Sequence, residues 1–273
     1  MGNRWRLLVT ILLIVPAVIH FFPLFYVICI SLKSPVEVMQ YPPTILPSVL
    51  DFGNYVTALE SAPLLRFLLN SIVVSGLIML LQVITAILAA FALARIEFVG
   101  KRIVFTGILA TMMVPGEVTI IPNYFTVTSF NWLDSYAGLV IPFSVSGFGI
   151  FLLYQFFRTI PKELEEAVRV DGGSSFRFLL QFVIPLSLPA ILAFGIYSFV
   201  SAWNQYLWPL VVTESTQMQT AQIGIGMIRS QNESTSWGVI MAATTLLIAP
   251  TLVLFMATQK QFVRGISVAG LKG

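Results

Sequence analysis

The chain carries one histidine and one cysteine, His20 and Cys29, and both stand in the same apolar run. A single cysteine forms neither an intramolecular disulfide nor a cysteine-based metal cluster, and a single histidine forms no His-Glu-x-x-His zinc site. Nucleophilic Ser/His/Asp catalysis would have to use His20, which has no polar support in sequence and reads as a packed or interfacial histidine. No G-x-x-x-x-G-K-[ST] phosphate loop occurs. Gly172-Gly173-Ser174-Ser175 imitates such a loop only superficially, because no lysine follows to reach a phosphate. The expectation is a chain that catalyses nothing and holds no metal. Two sets of groups remain: Glu117, lying between Pro115 and Pro122 and able to bind a coupling ion, and the carboxylates Glu163, Glu165, Glu166 and Asp171.

The elements that must hold these groups follow from composition. The 273 residues are 57% hydrophobic and 10% charged, with mean hydropathy +0.90, where a soluble domain carries about 25% charged residues. A soluble enzyme is excluded, and the net charge of +3 gives no sign of nucleic-acid binding. Six runs reach the length of about 20 apolar residues that a bilayer requires: 7–30, 67–93, 103–121, 137–157, 178–202 and 237–258. The first follows Arg4 and Arg6 in the manner of a signal peptide, but it stays apolar too long and lacks a small-residue cleavage site, so it reads as a retained helix.

Basic residues decide orientation, because cytoplasmic loops carry the Lys/Arg excess. Arg4, Arg6, Arg95, Lys101, Arg102, Arg158, Lys162, Arg169, Arg177, Lys260, Arg264 and Lys272 fall in one set of segments. Only Lys33, Arg66 and Arg229 fall in the alternate set. The expected fold is therefore an all-α membrane protein of six transmembrane helices with both termini cytoplasmic, one domain over residues 1–273.

The external segments differ in character. Residues 34–66 contain Pro35, Pro42, Pro43, Pro47 and Pro63, which prevents a long helix and favours a folded loop. Residues 205–236 read as a polar segment, and Asn232-Glu233-Ser234 matches a glycosylation sequon too weakly to carry weight. Within the second run, Ala86, Ala90 and Ala94 form a small-residue face suited to close helix packing inside the chain. Pro16, Pro23, Pro115, Pro122, Pro142, Pro185 and Pro189 sit in or beside the runs, where freed carbonyls are tolerated only against protein or a water-filled cavity.

The four carboxylates belong to the segment 158–177. Pro161 suits the first turn of a helix, the glutamates follow at its positive end, and Arg169 lies toward its negative end. Leu164, Ala167 and Val168 share a face, Gly172 and Gly173 stop the helix, and Ser174 or Ser175 caps the next one. This predicts a short cytoplasmic helix between the fourth and fifth spans, offering an apolar face to something other than lipid. An anionic lipid surface would repel four clustered carboxylates.

This segment resembles the signature of the inner-membrane permease subunits of binding-protein-dependent ABC importers: E-A-A, three residues, G, nine residues, I-x-L-P. Glu166-Ala167-Val168, Gly172 and Phe182-Val183-Ile184-Pro185 stand in register with it, the departures being apolar for apolar. Asn70-Ser71, Ala89-Ala90-Phe91-Ala92-Leu93-Ala94-Arg95, Asp134-Ser135-Tyr136-Ala137-Gly138-Leu139, Trp203 to Leu210, Phe262-Val263-Arg264-Gly265 and Lys272-Gly273 extend the likeness to the maltose-permease class of carbohydrate importers. Val114 to Val118, Leu133 to Tyr136 and Asn204 to Leu210 look most like glycerol-3-phosphate permeases.

The resemblance implies a multi-pass protein of a bacterial or archaeal inner membrane. Its expected partners are a second homologous permease subunit, two ATPase subunits that hold ATP and Mg, and an extracytoplasmic solute-binding protein. No cofactor is expected in this chain. Glu163, Leu164, Glu166, Ala167, Val168, Asp171 and Gly172 would contact the ATPase. Asn123, Tyr124, Trp203, Asn204, Gln205, Tyr206 and Trp208 are the candidates for the solute path, since amides exchange hydrogen bonds with hydroxyls and aromatic faces pack on sugars. The alternative is an ion-coupled secondary transporter or channel subunit, for which Glu117 is nearly the only intramembrane ionisable group.

Overall fold

The computed structural model describes the backbone of residues 3–231 and 237–270 and the side chains of residues 9–229 and 237–256. The sequon at 232–234, the side chains of Arg4, Arg6, Lys260 and Arg264, the motif at 262–265 and Lys272-Gly273 lie outside the described residues or side chains. Among the described residues the structure is helical throughout, with no strand. In chain order the helices are α1 (Asn3–Ser31), α2 (Pro35–Val38), α3 (Gly53–Ser61), α4 (Leu64–Arg95), α5 (Lys101–Thr111), α6 (Ile120–Ser129), α7 (Tyr136–Val140), α8 (Gly147–Arg158), α9 (Lys162–Val170), α10 (Ser175–Phe178), α11 (Ile184–Leu186), α12 (Leu188–Trp203), α13 (Leu207–Val212), α14 (Ala221–Gln231) and α15 (Trp237–Gly270).

Three helical stretches are long and apolar enough to cross a bilayer unaided: Val9–Ser31, Leu64–Arg95 and Trp237–Met256. They coincide with the first, second and sixth apolar runs. The third, fourth and fifth runs, each expected as one span, are helix pairs bent at a break. Lys101–Thr111 and Gly116–Ser129 meet at 97°, Tyr136–Phe143 and Gly147–Arg158 at 45°, and Ser175–Leu186 and Leu188–Trp203 at 78°. The described residues thus hold three spans, or up to six where each bent pair is counted as one. Proline explains the breaks: Pro115 precedes a 3₁₀ turn (Gly116–Thr119), Pro142 lies in another (Ile141–Phe143), and Pro185 and Pro189 flank the third bend. A π-helical turn, Leu179–Val183, joins α10 to α11. In α1, by contrast, Pro16 and Pro23 leave the helix continuous.

The chain divides into two compact units. One comprises residues 1–68 and 221–251. Its core joins Ala58, Leu64 and Phe67 to Ala221, Ile228, Ala242, Ala243 and Leu247. The proline-rich loop is folded as expected, with two short helices and an internal polar tie. Asn54 Nδ2 donates to the carbonyls of Ser31 (3.0 Å) and Lys33 (2.7 Å), closing the end of α1. Glu37 accepts from the Ser48 amide at 2.9 Å, and Lys33 Nζ donates to the Thr44 carbonyl and hydroxyl. His20 Nδ1 donates to the Pro16 carbonyl at 2.7 Å, so the lone histidine serves its own helix.

The second unit comprises residues 69–220 and 252–273. The alanine face of α4 is used within it: Ala86 and Ala90 are fully buried in a cluster with Ile150, Leu153, Phe157, Phe178, Ile191 and Phe194. The approach of α8 to α12 is close enough that a Cβ on Gly149 would stand 2.0 Å from the Phe194 ring, so any side chain there would force that buried ring to move. The polar segment 205–236 contains α13 and α14 among the described residues. Its backbone groups need partners as any buried ones do, and helix supplies them.

Candidate functional site

Two sites emerge, both within the second unit. The first is α9. A nine-residue helix is marginal alone, so its stability comes from its surroundings. Its C-terminus closes with the Gly173 amide on the Val168 carbonyl (2.8 Å) and the Gly172 amide on that of Arg169 (3.0 Å), a Schellman pair. Gly172 takes φ +72°, and Ser174 caps α10 by accepting from the Arg177 amide. Pro161 occupies the N-cap, one position before the first turn.

The faces of α9 correct the sequence reading. Val168 is buried and Leu164 half-buried in the cluster that holds Ile160, Phe157 and Phe178. The apolar side that was to be offered to a partner is therefore turned into this chain's own core, because those carbons find a complete apolar surface there. The outward side carries Glu163, Glu166, Ala167 and Val170, spaced i, i+3, i+4, i+7. Val170 is 87% exposed, and Asp171 and Gly172 continue this side.

One contact was missed from sequence. Glu165, buried on the inward side, lies 3.8 Å from Arg95 Nη1 and accepts from Arg169 Nη2 at 2.7 Å. Arg95 ends α4 with a side chain only 5% exposed. Its Nη2 donates to the carbonyls of Phe157 (2.7 Å) and Ile160 (2.6 Å), and its guanidinium stands 5.8 Å over the Phe178 ring. One residue thus adds a donor to a carbonyl at the end of α8 that the Ile160 amide also reaches, crosses the turn into α9 and faces the α9 carboxylate. Read from sequence, Arg95 counts among twelve basic residues and closes the alanine-rich stretch of the family likeness, with no anchoring role assigned to it. The signal that could have separated it is its place directly after an alanine-rich helix end.

The second site is a cleft of about 500 Å³ lined by Gln82, Gly116, Glu117, Ile120, Phe143, Ser201 and the stretch Asn204–Trp208. Two interruptions of helix form it: the turn after Pro115 and the break between α12 and α13. Four of the seven solute-path candidates therefore meet, namely Asn204, Gln205, Tyr206 and Trp208. Trp208 contributes a wall rather than a donor, because its Nε1 is committed to the Gly138 carbonyl at 3.1 Å and its ring sits edge-on to Phe143. Trp203 is buried beside Phe199, and Asn123 and Tyr124 lie elsewhere on α6. Glu117 was singled out for ion coupling, and the structure sets it in this cleft.

A polar frame ties the following segment down. Asp134 Oδ1 accepts from the amides of Glu214 (3.1 Å) and Ser215 (3.0 Å). Asn70 Nδ2 donates to the carbonyls of Gln217 (2.7 Å) and Gln219 (2.9 Å), and Tyr136 donates to Asn70 Oδ1 (2.8 Å). The hydrogen bond from Ser215, joined by the two backbone amides, outweighs burial and holds the Asp134 carboxyl below its ordinary 3.8. A lowered folded pKa stabilises above the ordinary value and is lost as pH falls through the folded one. Hydrogen-exchange protection of the Glu214 and Ser215 amides, corrected for intrinsic rates, is expected to hold at neutral pH and decline below 3.8. In Asp134→Asn the decline should vanish.

Residues 82–268 match the family model described as binding-protein-dependent transport system inner membrane component. The chain belongs to that family, and it is an inner-membrane transport permease. It is 37% identical over 262 residues, 93% of either chain, to the sn-glycerol-3-phosphate transport system permease protein UgpE of Salmonella typhimurium. It is 38% identical over the same share to the UgpE protein of Escherichia coli O6:H1. In fold it is similar to a chain of a bacterial ABC transporter involved in the import of the acidic polysaccharide alginate, with TM-score 0.83, 24% identity and coverage of 96% of this chain and 99% of that one. A second likeness, at TM-score 0.61 and 18% identity over 95% and 96%, is to a chain of the alginate transporter in complex with alginate pentasaccharide-bound periplasmic protein.

Proposed function

We propose that this chain is one of two permease subunits of an ATP-driven importer of a carbohydrate or glycerol-3-phosphate-like solute, and that α9 takes up the motion of a separate ATPase. On this reading residues 1–273 form a single six-span permease domain with both termini cytoplasmic, and residues 158–177 are its coupling segment. A second permease, two ATPases carrying ATP and Mg, and an extracytoplasmic binding protein complete the assembly. The names and strong likeness of the relatives support the solute class. Asn204, Gln205 and Tyr206 line this subunit's share of the path.

The observation that carries the coupling reading is the division of α9. One side is pinned to the end of α8 and α4, while Glu163, Glu166, Ala167 and Val170 are left uncovered on the other. A partner cleft with a basic wall fits the two glutamates, and the apolar pair seats the helix. Leu164 and Val168 then act from inside, carrying displacement into the bundle core.

Glu166→Lys tests this directly. Reversing a charge at a paired contact is expected to lower ATP-driven uptake by about tenfold or more, with the chain still inserted and the ATPase released on purification. A Glu166→Lys chain that retains the ATPase in stoichiometric amount and transports normally would falsify the assignment.

A further inference from the structure

We infer that the cleft around Glu117 is a solute subsite that takes an uncharged polyol or sugar while rejecting a phosphate ester. The inference rests on the permease reading and narrows its solute class.

Position comes first. The cleft is built where two helices are interrupted, at Met112–Gly116 and at Asn204–Tyr206. Irregular backbone inside an apolar stretch is tolerated only where protein or a water-filled cavity satisfies it. A carboxylate at the same place is costly unless used. Glu117 is exposed, and its carboxylate has no hydrogen bond or ion pair among the described residues.

The chemistry of the lining then decides the ligand. Glu117, when ionised, only accepts. Gln205 has its Oε1 buried without a partner among the described residues, a second acceptor that waits for a donor. Asn204 spends its Nδ2 on the Val200 carbonyl at 2.9 Å, which leaves its oxygen. Gln82 is used at both ends, donating to the Phe143 carbonyl and accepting from Ser198, each at 2.8 Å. Among the described residues no Lys or Arg lines the cleft. Hydroxyl groups can supply what these oxygens require, and the aromatic rings of Phe143 and Tyr206 suit the apolar faces of a sugar. A phosphate dianion would bring its charge against the Glu117 carboxylate, with no Arg or Lys side chain in the lining to offset the repulsion.

Glu117 stands in the first turn before α6, so the competing account is a carboxylate that merely steadies the positive end of that helix. The test separates the two. In the assembled importer, Cys29→Ser with Ser201→Cys leaves one thiol in the cleft, and its alkylation by N-ethylmaleimide is timed with maltose or with sn-glycerol 3-phosphate at high millimolar concentration. Maltose is expected to slow the reaction about threefold or more and glycerol 3-phosphate to leave it unchanged. Adding Glu117→Gln should let glycerol 3-phosphate protect as well, whereas Glu117→Asp should not. Equal protection by both solutes in the Glu117 background, protection by glycerol 3-phosphate alone, or protection by neither overturns the inference. ATP-driven uptake by the parent assembly is measured alongside. Its absence fails the permease reading and this subsite with it, while normal uptake with unselective protection fails the subsite alone.

Discussion

Arg95→Ala is expected to cut ATP-driven uptake by about a hundredfold, although the substitution touches neither the outward side of α9 nor the cleft. The removed guanidinium donates to two carbonyls, and hydrogen bonds from charged groups are worth about 1.5–3 kcal/mol each. It also leaves Glu165 with only the exposed Arg169, whose 2.7 Å bond remains, so this part of the loss stays below the about 3–5 kcal/mol of a fully uncompensated buried charge. A loss of that size need not unfold the chain, because the alanine face of α4 and the α8–α12 contact stay intact. It falls on the seat of α9. The expected signature is a chain that inserts normally, hydrolyses ATP through its partner when reconstituted, and no longer imports. Arg95→Lys should recover only part of the uptake, since one ammonium on a flexible stem replaces a planar fork that spans both carbonyls. In Arg95→Ala with Glu165→Ala the buried charge is gone, so this double variant should lose less stability than the sum of its singles. Full uptake by Arg95→Ala would show that α9 transmits motion without this anchor.

The residues show why some of this was legible in the sequence and some was not. Helix ends on either side of α9 were readable because Pro161, Gly172, Gly173 and Ser174 act through local backbone chemistry. So was the small-residue face of Ala86 and Ala90, which depends on spacing alone. The direction in which Leu164 and Val168 point was not readable, because a nine-residue amphipathic helix has two candidate partners and only the fold decides which one its apolar side meets. The bends fall between the two cases. Proline marked where the third, fourth and fifth runs could break, yet Pro16 and Pro23 mark α1 equally and it remains continuous. A proline states that one hydrogen bond is missing, and the surroundings decide whether the helix turns. The convergence of Asp134 and of Asn70, itself held by Tyr136, on residues 214–219 joins positions up to 149 apart in sequence, beyond the reach of any local rule. Glu117 was noticed for its charge, but the cleft that gives the charge a purpose is made of residues from four separate segments.

Gly172→Val should lower uptake by about thirtyfold, and Gly172→Asn should leave most of it. The position has φ +72° and open space where a Cβ would go, so the objection to a side chain is conformational rather than steric. An L-residue in this left-handed region costs about 1–2 kcal/mol, and a β-branched one lies at the upper end because its second γ-carbon crowds the backbone. About 2 kcal/mol corresponds to a factor of about 30 between a closed and an opened C-terminus of α9. Asparagine enters the same region at a lower penalty. Its neighbour refuses side chains for a different reason, since a Cβ on Gly173 would stand 2.5 Å from Val168 Cγ1 and 2.9 Å from the Val168 carbonyl. Gly173→Asn should therefore fail where Gly172→Asn succeeds, although the two glycines are adjacent and read alike in sequence. Uptake measured in the four strains decides it: Gly172→Val equal to the parent, or Gly172→Asn as poor as Gly172→Val, would mean that α9 does not need its C-terminal turn to pass motion into the bundle.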